Sequence, residues 1–234
     1  MHNLALEVRK VTSPRRIFSV YANEIVSRYF SKHWSICTGI RILSEPYYHA
    51  KFSYCSKNTL KRAPVPRHGY QTHIRLATEW DSQRVAELCF GFANESPPFV
   101  LTHEGSLEEA RVMIRAGQVW VMEVLENNNS YIACIVCLTR NSDAVTAITK
   151  VYTSPHWRKN GFAHQLVNRV TENLLIQQSK SFVVLYVGID NPASLVYDKV
   201  GFVGLGTEEE HPTELVELWI ELGFEPSKVD LGQW

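Results

Sequence analysis

One hexapeptide, RKNGFA at residues 158–163, joins a strand-like segment to an amphipathic helix. Residues 144–153 before it are mostly apolar, and the helix after it repeats apolar residues at a spacing of about 3.6. A short turn from strand to helix aims the first free N–H groups of the helix, and the positive end of its dipole, at one place. This arrangement is typical of a phosphate-binding site.

The candidate phosphate-binding residues are therefore Arg158, Lys159, Asn160, Gly161, Phe162 and Ala163. Gly161 permits an unusual φ angle and the close approach of a ligand. Main-chain amides should matter more than charge, because a hydrogen bond to a charged group contributes about 1.5–3 kcal/mol and an exposed cation such as Lys159 only about 0–1 kcal/mol. Taken alone, the hexapeptide fits a phosphate site and an ordinary strand–turn–helix unit equally well.

A second motif, NPASLVYDKVGF at residues 191–202, follows about thirty residues later. With it the chain resembles the GNAT superfamily of acyl-CoA N-acyltransferases. Members carry an Arg/Gln-x-x-Gly-x-Gly/Ala loop for the pyrophosphate of coenzyme A, then an Asn, a helical Tyr and a closing Gly-Phe. Here these are the hexapeptide, Asn191, Tyr197 and Gly201-Phe202. The resemblance extends over residues 71–234.

The resemblance implies an α/β fold with a mixed sheet, the GNAT acyl-CoA N-acyltransferase fold, over residues 71–234. A basic, aromatic N-terminal extension, residues 1–70, precedes it. In the resembled fold, the strands at 144–153 and 182–187 run parallel and then splay apart, and the gap admits the pantetheine arm. Main-chain groups of Val151, Tyr152 and Thr153 would then contact the cofactor. An ordinary, fully paired sheet is the alternative.

Periodicity predicts further elements along the chain. An amphipathic helix is expected over residues 17–34, extended chain over 36–55, and a hairpin around Asn127-Asn128-Asn129. Cys134 and Cys137 lie within one predicted strand, where residues three apart face opposite sides. A metal-binding or redox pair is therefore not expected there.

Composition limits the functional classes. The chain has 234 residues, of which 45% are hydrophobic, enough for one large domain with a proper core. No apolar run approaches the length of a membrane span, and the N-terminus lacks a secretory core. The five scattered cysteines predict no disulfide framework, and no His/Cys cluster has zinc spacing. We therefore expect a cytoplasmic, intracellular protein with no metal and no membrane partner.

Charge is distributed unevenly although the net charge is zero. Residues 1–70 hold twelve Lys and Arg against three Asp and Glu, a balance of +9, and residues 71–234 carry the opposite balance of −9. A basic arm for nucleic acid is one interpretation. The other is that this segment packs against the acidic remainder of its own chain, which the scattered basic residues favour. Nucleic acid is thus not expected as a partner, and a homodimer stays open.

Two residues of the second motif each have two interpretations. Asn191, followed by Pro192, suits the start of a helix, and by resemblance its side chain also contacts the cofactor arm. Tyr197 shares an apolar stripe with its neighbours, which is typical of a core aromatic. By resemblance, its hydroxyl protonates the leaving thiolate, since a phenol of pKa about 10 can supply a proton to a thiolate of pKa about 8.5.

The general base is not evident from the sequence. An amine acceptor with a pKa of about 10.4 must lose a proton before it attacks the acyl carbon. Some family members use a Glu on the strand before the phosphate loop, but residues 144–153 contain none. Glu123 on an earlier strand is the candidate we place with Tyr197 in the catalytic set, and His103 and Glu104 are alternatives. A loop at Glu208-Glu209-Glu210 would favour a cationic acceptor if it borders the site.

These observations predict an N-acetyltransferase that passes an acetyl group from acetyl-CoA to an amine by direct attack within a ternary complex. The acceptor is a small molecule or a protein amine. The alternative is a non-catalytic, CoA-binding regulatory module with the GNAT fold. The missing strand glutamate favours the module, whereas Tyr197 favours the enzyme.

Overall fold

The structure, a computed structural model, describes residues 1–63, 65, 69–98, 100–206 and 217–231. Its helices are α1 (His2–Val11), α2 (Glu24–Thr38), α3 (Ser82–Asn94), α4 (His103–Arg115), α5 (Phe162–Glu172) and α6 (Ser194–Val200). Its strands are β1 (Ser19–Asn23), β2 (Tyr48–Cys55), β3 (Gln71–Leu76), β4 (Val119–Glu126), β5 (Asn129–Cys137), β6 (Arg140–Asn141), β7 (Val145–Ile148), β8 (Lys150–Thr153), β9 (Phe182–Gly188) and β10 (Leu218–Gly223). Within these ranges no helix is long and apolar enough to cross a bilayer.

The strands form two sheets that one chain segment connects. Strand orders are β1-β10-β2-β9-β7-β6 and β3-β4-β5-β8. β7 and β8 are separated only by Thr149, yet β7 pairs in parallel with β9 while β8 pairs antiparallel with β5. The segment 145–153 therefore leaves one sheet and enters the other. The predicted mixed α/β fold is confirmed.

Helices cover both faces of the region where the sheets meet. α5 and α6 pack on one face over the largest hydrophobic core, and α3 and α4 cover a second core on the other face of the four-stranded sheet. β5 contributes to both, with Cys134 in the first core and Cys137 in the second. The prediction that these two cysteines face opposite sides is confirmed.

Two strands of the first 70 residues, β1 and β2, form part of the six-stranded sheet. β2 lies between β9 and β10, and β1 pairs with the other edge of β10. Ion pairs also join basic residues of this segment to acidic residues near the C-terminal end, with Arg15 at 2.5 Å from Asp230 and Arg41 at 3.3 Å from Glu225. The segment therefore packs on its own chain, as the scattered basic residues indicated. The domain boundary at residue 70 stays a prediction.

The helix predicted over residues 17–34 is wrong at its start. Ser19–Asn23 is a strand, and the helix runs over Glu24–Thr38. The side chain of Asn23 accepts a hydrogen bond from the Ile25 N–H at 3.1 Å, which fixes the helix start. Apolar spacing could not indicate that the preceding residues pair with β10, about two hundred residues away.

Gly201 of the closing Gly-Phe motif holds the end of α6 against the segment after β2. Its φ is 113°, in the region that favours glycine. A Cβ at this position would lie 2.0 Å from the carbonyl oxygen of Thr59. Beside it, the Lys61 N–H donates to the Val200 carbonyl at 2.9 Å. Only glycine fits here, because the backbone of the N-terminal segment passes directly over it.

We therefore expect Gly201→Ala to lower the free energy of unfolding by more than about 3 kcal/mol, through backbone strain and the displaced Thr59. Gly39→Ala is the matched control: Gly39 also has a positive φ, 73°, but nothing lies within 4 Å of its Cβ position. That variant should lose only about 1–2 kcal/mol. Urea denaturation of both variants measures the difference, and equal losses would contradict the steric account.

Candidate functional site

The candidate site lies where β8 and β9 diverge. β9 continues along β2, with Gly188 opposite Ala50, whereas β8 pairs only with β5 among the described strands. The Ser154 N–H donates to the Ala133 carbonyl at 2.9 Å. In an antiparallel ladder, the N–H and C=O groups of successive residues point alternately toward and away from the partner strand. Since Ser154 points toward β5, the peptide groups of Val151 and Thr153 point away from β5, toward the gap. The predicted splay is present, and Val151–Thr153 form one edge of it.

The loop after β8 presents main-chain donors at the start of α5. Gly161 and Lys159 both have left-handed backbone angles, with φ of 77° and 67°. Successive N–H groups in such a turn converge on one side. In the part of the chain that the structure describes, the N–H groups of Lys159, Asn160, Gly161 and Ala163 form no hydrogen bond. These are the free donors that a phosphate requires.

Space in front of this loop is open. A Cβ placed on Gly161 would meet no atom nearer than 3.9 Å, the side-chain amide of Gln165. Beneath the loop, Phe162 and Trp157 are buried, with their ring centroids 6.2 Å apart. The loop is thus supported from below and accessible from above. The residues present fit the diphosphate of coenzyme A.

The side chain of Arg158 is directed elsewhere. Its guanidinium contacts both carboxylate oxygens of Glu95 at 2.7 and 3.0 Å and donates to the Thr153 carbonyl at 3.1 Å. It also lies over the ring of Tyr152, 5.3 Å from the centroid. Arg158 therefore ties the loop to β8 and to the end of α3. Its main-chain N–H is engaged as well, since it donates to the Pro155 carbonyl at 3.4 Å.

Glu95 is a site residue that sequence reasoning missed. Burial opposes its ionisation, but hydrogen bonds from Arg158 and from the Tyr152 hydroxyl, at 2.8 Å, outweigh that effect and lower the pKa of Glu95. Gly91 carries the one sequence signal for this cluster. A Cβ there would lie 2.7 Å from the Tyr152 hydroxyl, so this glycine within α3 admits the close approach of the ring.

Tyr197 serves as a core residue and also reaches the gap. It is 9% exposed and packs edge-on against Phe202. Its hydroxyl forms no hydrogen bond with any residue that the structure describes. Burial raises the pKa of Tyr197, and nearby Tyr48 and Cys134 raise it further, so the phenol keeps its proton. Cys134, which belongs to the same core as Tyr197, accepts a hydrogen bond from the Thr153 hydroxyl at 3.2 Å at the end of β8.

Asn191 starts the turn that leads into α6. Its side-chain oxygen accepts a hydrogen bond from the Ala193 N–H at 2.9 Å, and its carbonyl accepts one from the Ser194 N–H at 3.0 Å. The predicted cap is thus displaced: Asn191 caps the turn before the helix, while α6 begins at Ser194 with Ala193 as its N-cap residue. The contact of Asn191 with the cofactor arm stays a prediction.

Glu123 is not brought to the gap. β5 lies between its strand, β4, and β8. Its carboxylate accepts hydrogen bonds from the Ser130 hydroxyl and, at 3.1 Å, from Arg75, and these contacts lower the pKa of Glu123. A paired carboxylate with a lowered pKa is a weaker base. The geometry therefore does not favour the predicted catalytic role.

The other candidate groups are stacked on another ring, exposed, or outside the described residues. His103 is the first residue of α4, and its ring stacks on Phe90 with centroids 3.9 Å apart. Glu104, beside it, is exposed. The Glu208–Glu210 loop lies outside the described residues. Across the described ranges, no group of three or more His, Cys, Asp or Glu side chains could hold a metal ion.

Comparison with known proteins agrees with this geometry. Residues 118–211, which contain the phosphate loop and Tyr197, match the FR47-like protein family. A GCN5-related N-acetyltransferase from Sphaerobacter thermophilus superposes with a TM-score of 0.59 at 15% identity, over 98% of this chain and 67% of that one. The chain has the GNAT fold. The resemblance drawn from the two motifs is thereby confirmed.

Two further GNAT proteins show the same likeness. A GCN5-related N-acetyltransferase from Kribbella flavida has a TM-score of 0.57 at 18% identity, covering 94% of this chain and 74% of that one. A tandem GNAT protein from the clavulanic acid biosynthesis pathway has a TM-score of 0.58 at 13% identity, covering 94% and 67%. No curated protein is significantly similar in sequence to this chain. At these identities the structural likeness concerns the GNAT fold alone.

The phosphate loop yields a test of main-chain binding. Acetyl-CoA should raise the melting temperature, because it binds the folded state. Gly161→Val should remove most of that shift, because valine would strain the left-handed turn and its side chain would occupy the open space in front of the loop. Lys159→Ala should weaken it only slightly. Differential scanning fluorimetry with a titration of acetyl-CoA measures the shifts.

Gly117→Val is the matched control, because Gly117 also has a positive φ, 65°, with nothing within 4 Å of its Cβ position. It lies before β4, at the opposite end of the sheet from the loop. In this variant acetyl-CoA should still raise the melting temperature by the same amount, although the melting temperature without ligand is lower. If Lys159→Ala proves as damaging as Gly161→Val, main-chain amides are not the principal ligands.

Proposed function

We propose that this protein transfers an acetyl group from acetyl-CoA to an amine. The observation that carries the proposal is the Tyr197 hydroxyl, which forms no hydrogen bond with any described residue on a side chain that is only 9% exposed. Tyr197 shares a core with Cys134, whose thiol accepts a hydrogen bond from Thr153 at the end of β8. An acyl thioester held in the gap would give this hydroxyl a sulfur atom as its partner.

The cofactor would be held by main-chain groups along one path. The free N–H groups of Lys159, Asn160, Gly161 and Ala163 would bind the pyrophosphate. The outward peptide groups of Val151 and Thr153 would pair with the amides of the pantetheine arm. The side chain of Asn191, which is exposed, would contact the same arm. When bound, acetyl-CoA supplies the activated acyl group.

Tyr197 would then act as the general acid. A neutral amine nitrogen forms the new C–N bond with the acyl carbon, and the C–S bond breaks with its electron pair remaining on sulfur. Tyr197 gives its proton to that sulfur, and a proton lost from the attacking nitrogen restores the phenol. The net products are an amide and a free thiol, with no covalent enzyme intermediate. The Arg158–Glu95 pair would hold β8 in position throughout.

One observation favours a second function, a CoA-binding regulatory module without turnover. Glu123, the candidate base, is held by Arg75 and Ser130 away from the gap. Thiol release from acetyl-CoA in the presence of a library of amines separates the two functions, because a module binds the cofactor and releases no thiol. Acceptors in that library should include small-molecule amines and peptide amines.

The state of the cysteine thiols suggests the cellular compartment of the protein. All five cysteines are free thiols, and four of them are buried. Such thiols suit a reducing environment. We therefore place the reaction in the cytoplasm.

Tyr197→Phe tests the general acid. The variant keeps the ring and its packing on Phe202, so acetyl-CoA binding should be unchanged. kcat should fall by about 10²–10⁴-fold, because the thiolate must leave without a proton. The loss should be smaller with an acyl donor whose thiol is more acidic. Tyr29→Phe, at an exposed position of α2, is the control and should leave kcat unchanged. An undiminished kcat in Tyr197→Phe, where chemistry limits the rate, excludes the acid role.

A further inference from the structure

One face of the six-stranded sheet carries aromatic side chains instead of helices. Alternate residues of a strand point to opposite faces. On one face, Val183, Leu185 and Ile220 are buried beneath the helices. The other face, which we term the aromatic face, consists of half-buried rings whose centroids lie 5.0–6.3 Å apart. These rings are Tyr21, Tyr48, Phe52, Tyr186 and Trp219.

A carboxylate lies among these rings. Glu221 on β10 is directly opposite Tyr21 on β1 and Tyr48 on β2, so the three side chains form one row across the sheet. Its carboxylate accepts a hydrogen bond from the Ser19 hydroxyl at 2.5 Å. Burial raises the pKa of Glu221, which makes this carboxylate a better proton acceptor than an exposed one.

A second polar group of the row has no partner. The hydroxyl of Tyr21 is buried and forms no hydrogen bond with any described residue. Burial raises its pKa, and the neighbouring Tyr48, Tyr186 and Glu221 add to that effect. A buried, unpaired hydroxyl beside a half-buried carboxylate is costly. A ligand with a charged N–H donor would satisfy both groups.

The aromatic face begins at the gap where acyl transfer is proposed. Tyr48 packs on the end of β9, since a Cβ on Gly188 would lie 3.5 Å from its ring. Tyr48 is also close enough to Tyr197 to raise the pKa of that residue. Tyr48 therefore has both groups as neighbours: Glu221 lies directly opposite it on β10, and its hydroxyl acts electrostatically on Tyr197.

We propose that the aromatic face is the acceptor site, and that it takes a primary amine joined through a short chain to an aromatic ring, with Glu221 binding the ammonium group. This inference rests on the proposed function. Glu221 would take one proton from the ammonium ion and leave a neutral amine beside the gap. The rings would stack on the aromatic part of the acceptor, and their faces would attract its positive charge.

Charges around the face agree with a cationic ligand. Glu217 accepts a hydrogen bond from the Trp219 indole at 3.2 Å, so a second carboxylate lies at the rim. Arg140 is the cation that acts on Tyr21 and Tyr186, and it is exposed on the short strand β6. Among these described residues, two carboxylates against one guanidinium favour an ammonium ion over a carboxylate-bearing ligand.

Calorimetric titration with 2-phenylethylamine tests the site without any turnover. Two probes are compared with it: 2-phenylethanol, which lacks the charge, and ethylamine, which lacks the ring. We expect 2-phenylethylamine to bind at least about tenfold more tightly than either probe. Glu221→Gln keeps an acceptor for Ser19 and should abolish the preference for the amine over the alcohol. Glu108→Gln, exposed on α4, is the control and should retain that preference.

Equal binding of the amine and the alcohol, no binding of the amine, or unchanged amine binding in Glu221→Gln would each overturn the assignment. Thiol release from acetyl-CoA distinguishes this failure from failure of the proposed function. Glu221-dependent amine binding without thiol release would support the amine site and overturn acyl transfer. Thiol release that does not depend on Glu221 would support acyl transfer and overturn this acceptor site.

Discussion

The structure depends on the change of sheet at Thr149. Residues on either side of it belong to different sheets, and the strand partners of β8 and β9 differ as a result. The Thr149 N–H donates to the Cys137 carbonyl at 2.9 Å, so β8 is already bound to β5 when it begins. Lys150, the next residue, is 6% exposed and pairs with Glu109 of α4. Removing one partner of a buried pair costs about 3–5 kcal/mol, which gives β8 a firm anchor on the α3–α4 side.

This anchor explains why a sheet edge stays open inside the molecule. An unpaired edge normally attracts another strand or is covered. Here β8 is held to β5, to α4 through Lys150, and to the end of α3 through Arg158 and Glu95. β9 is held on the other side by β2. Since both strands have partners on their outer sides, the gap between them stays available for an extended ligand that carries amides of its own.

Local chemistry made part of the site predictable from sequence. A glycine before an amphipathic helix predicted the start of α5, and the apolar stripe around Tyr197 predicted a core aromatic. Contacts between distant segments were not predictable. Lys159 gave no sign of its left-handed φ, and Arg158 gave no sign that Glu95, on another element, would take its side chain. Glu221 likewise became notable only once β1 and β2 had placed tyrosines on both sides of it.

The position of β2 has a consequence for the order in which the chain assembles during its synthesis. Among the described strands, β1 pairs only with β10, and β2 lies between β9 and β10. Neither early strand therefore has all these neighbours until residue 223 has been made. Pairings of such long sequence separation are slow to form, since a long loop must close before any contact offsets its entropy. On the ribosome, the aromatic residues of the first two strands are therefore exposed while most of the chain is translated. A nascent chain of this kind depends on chaperones that bind apolar extended segments.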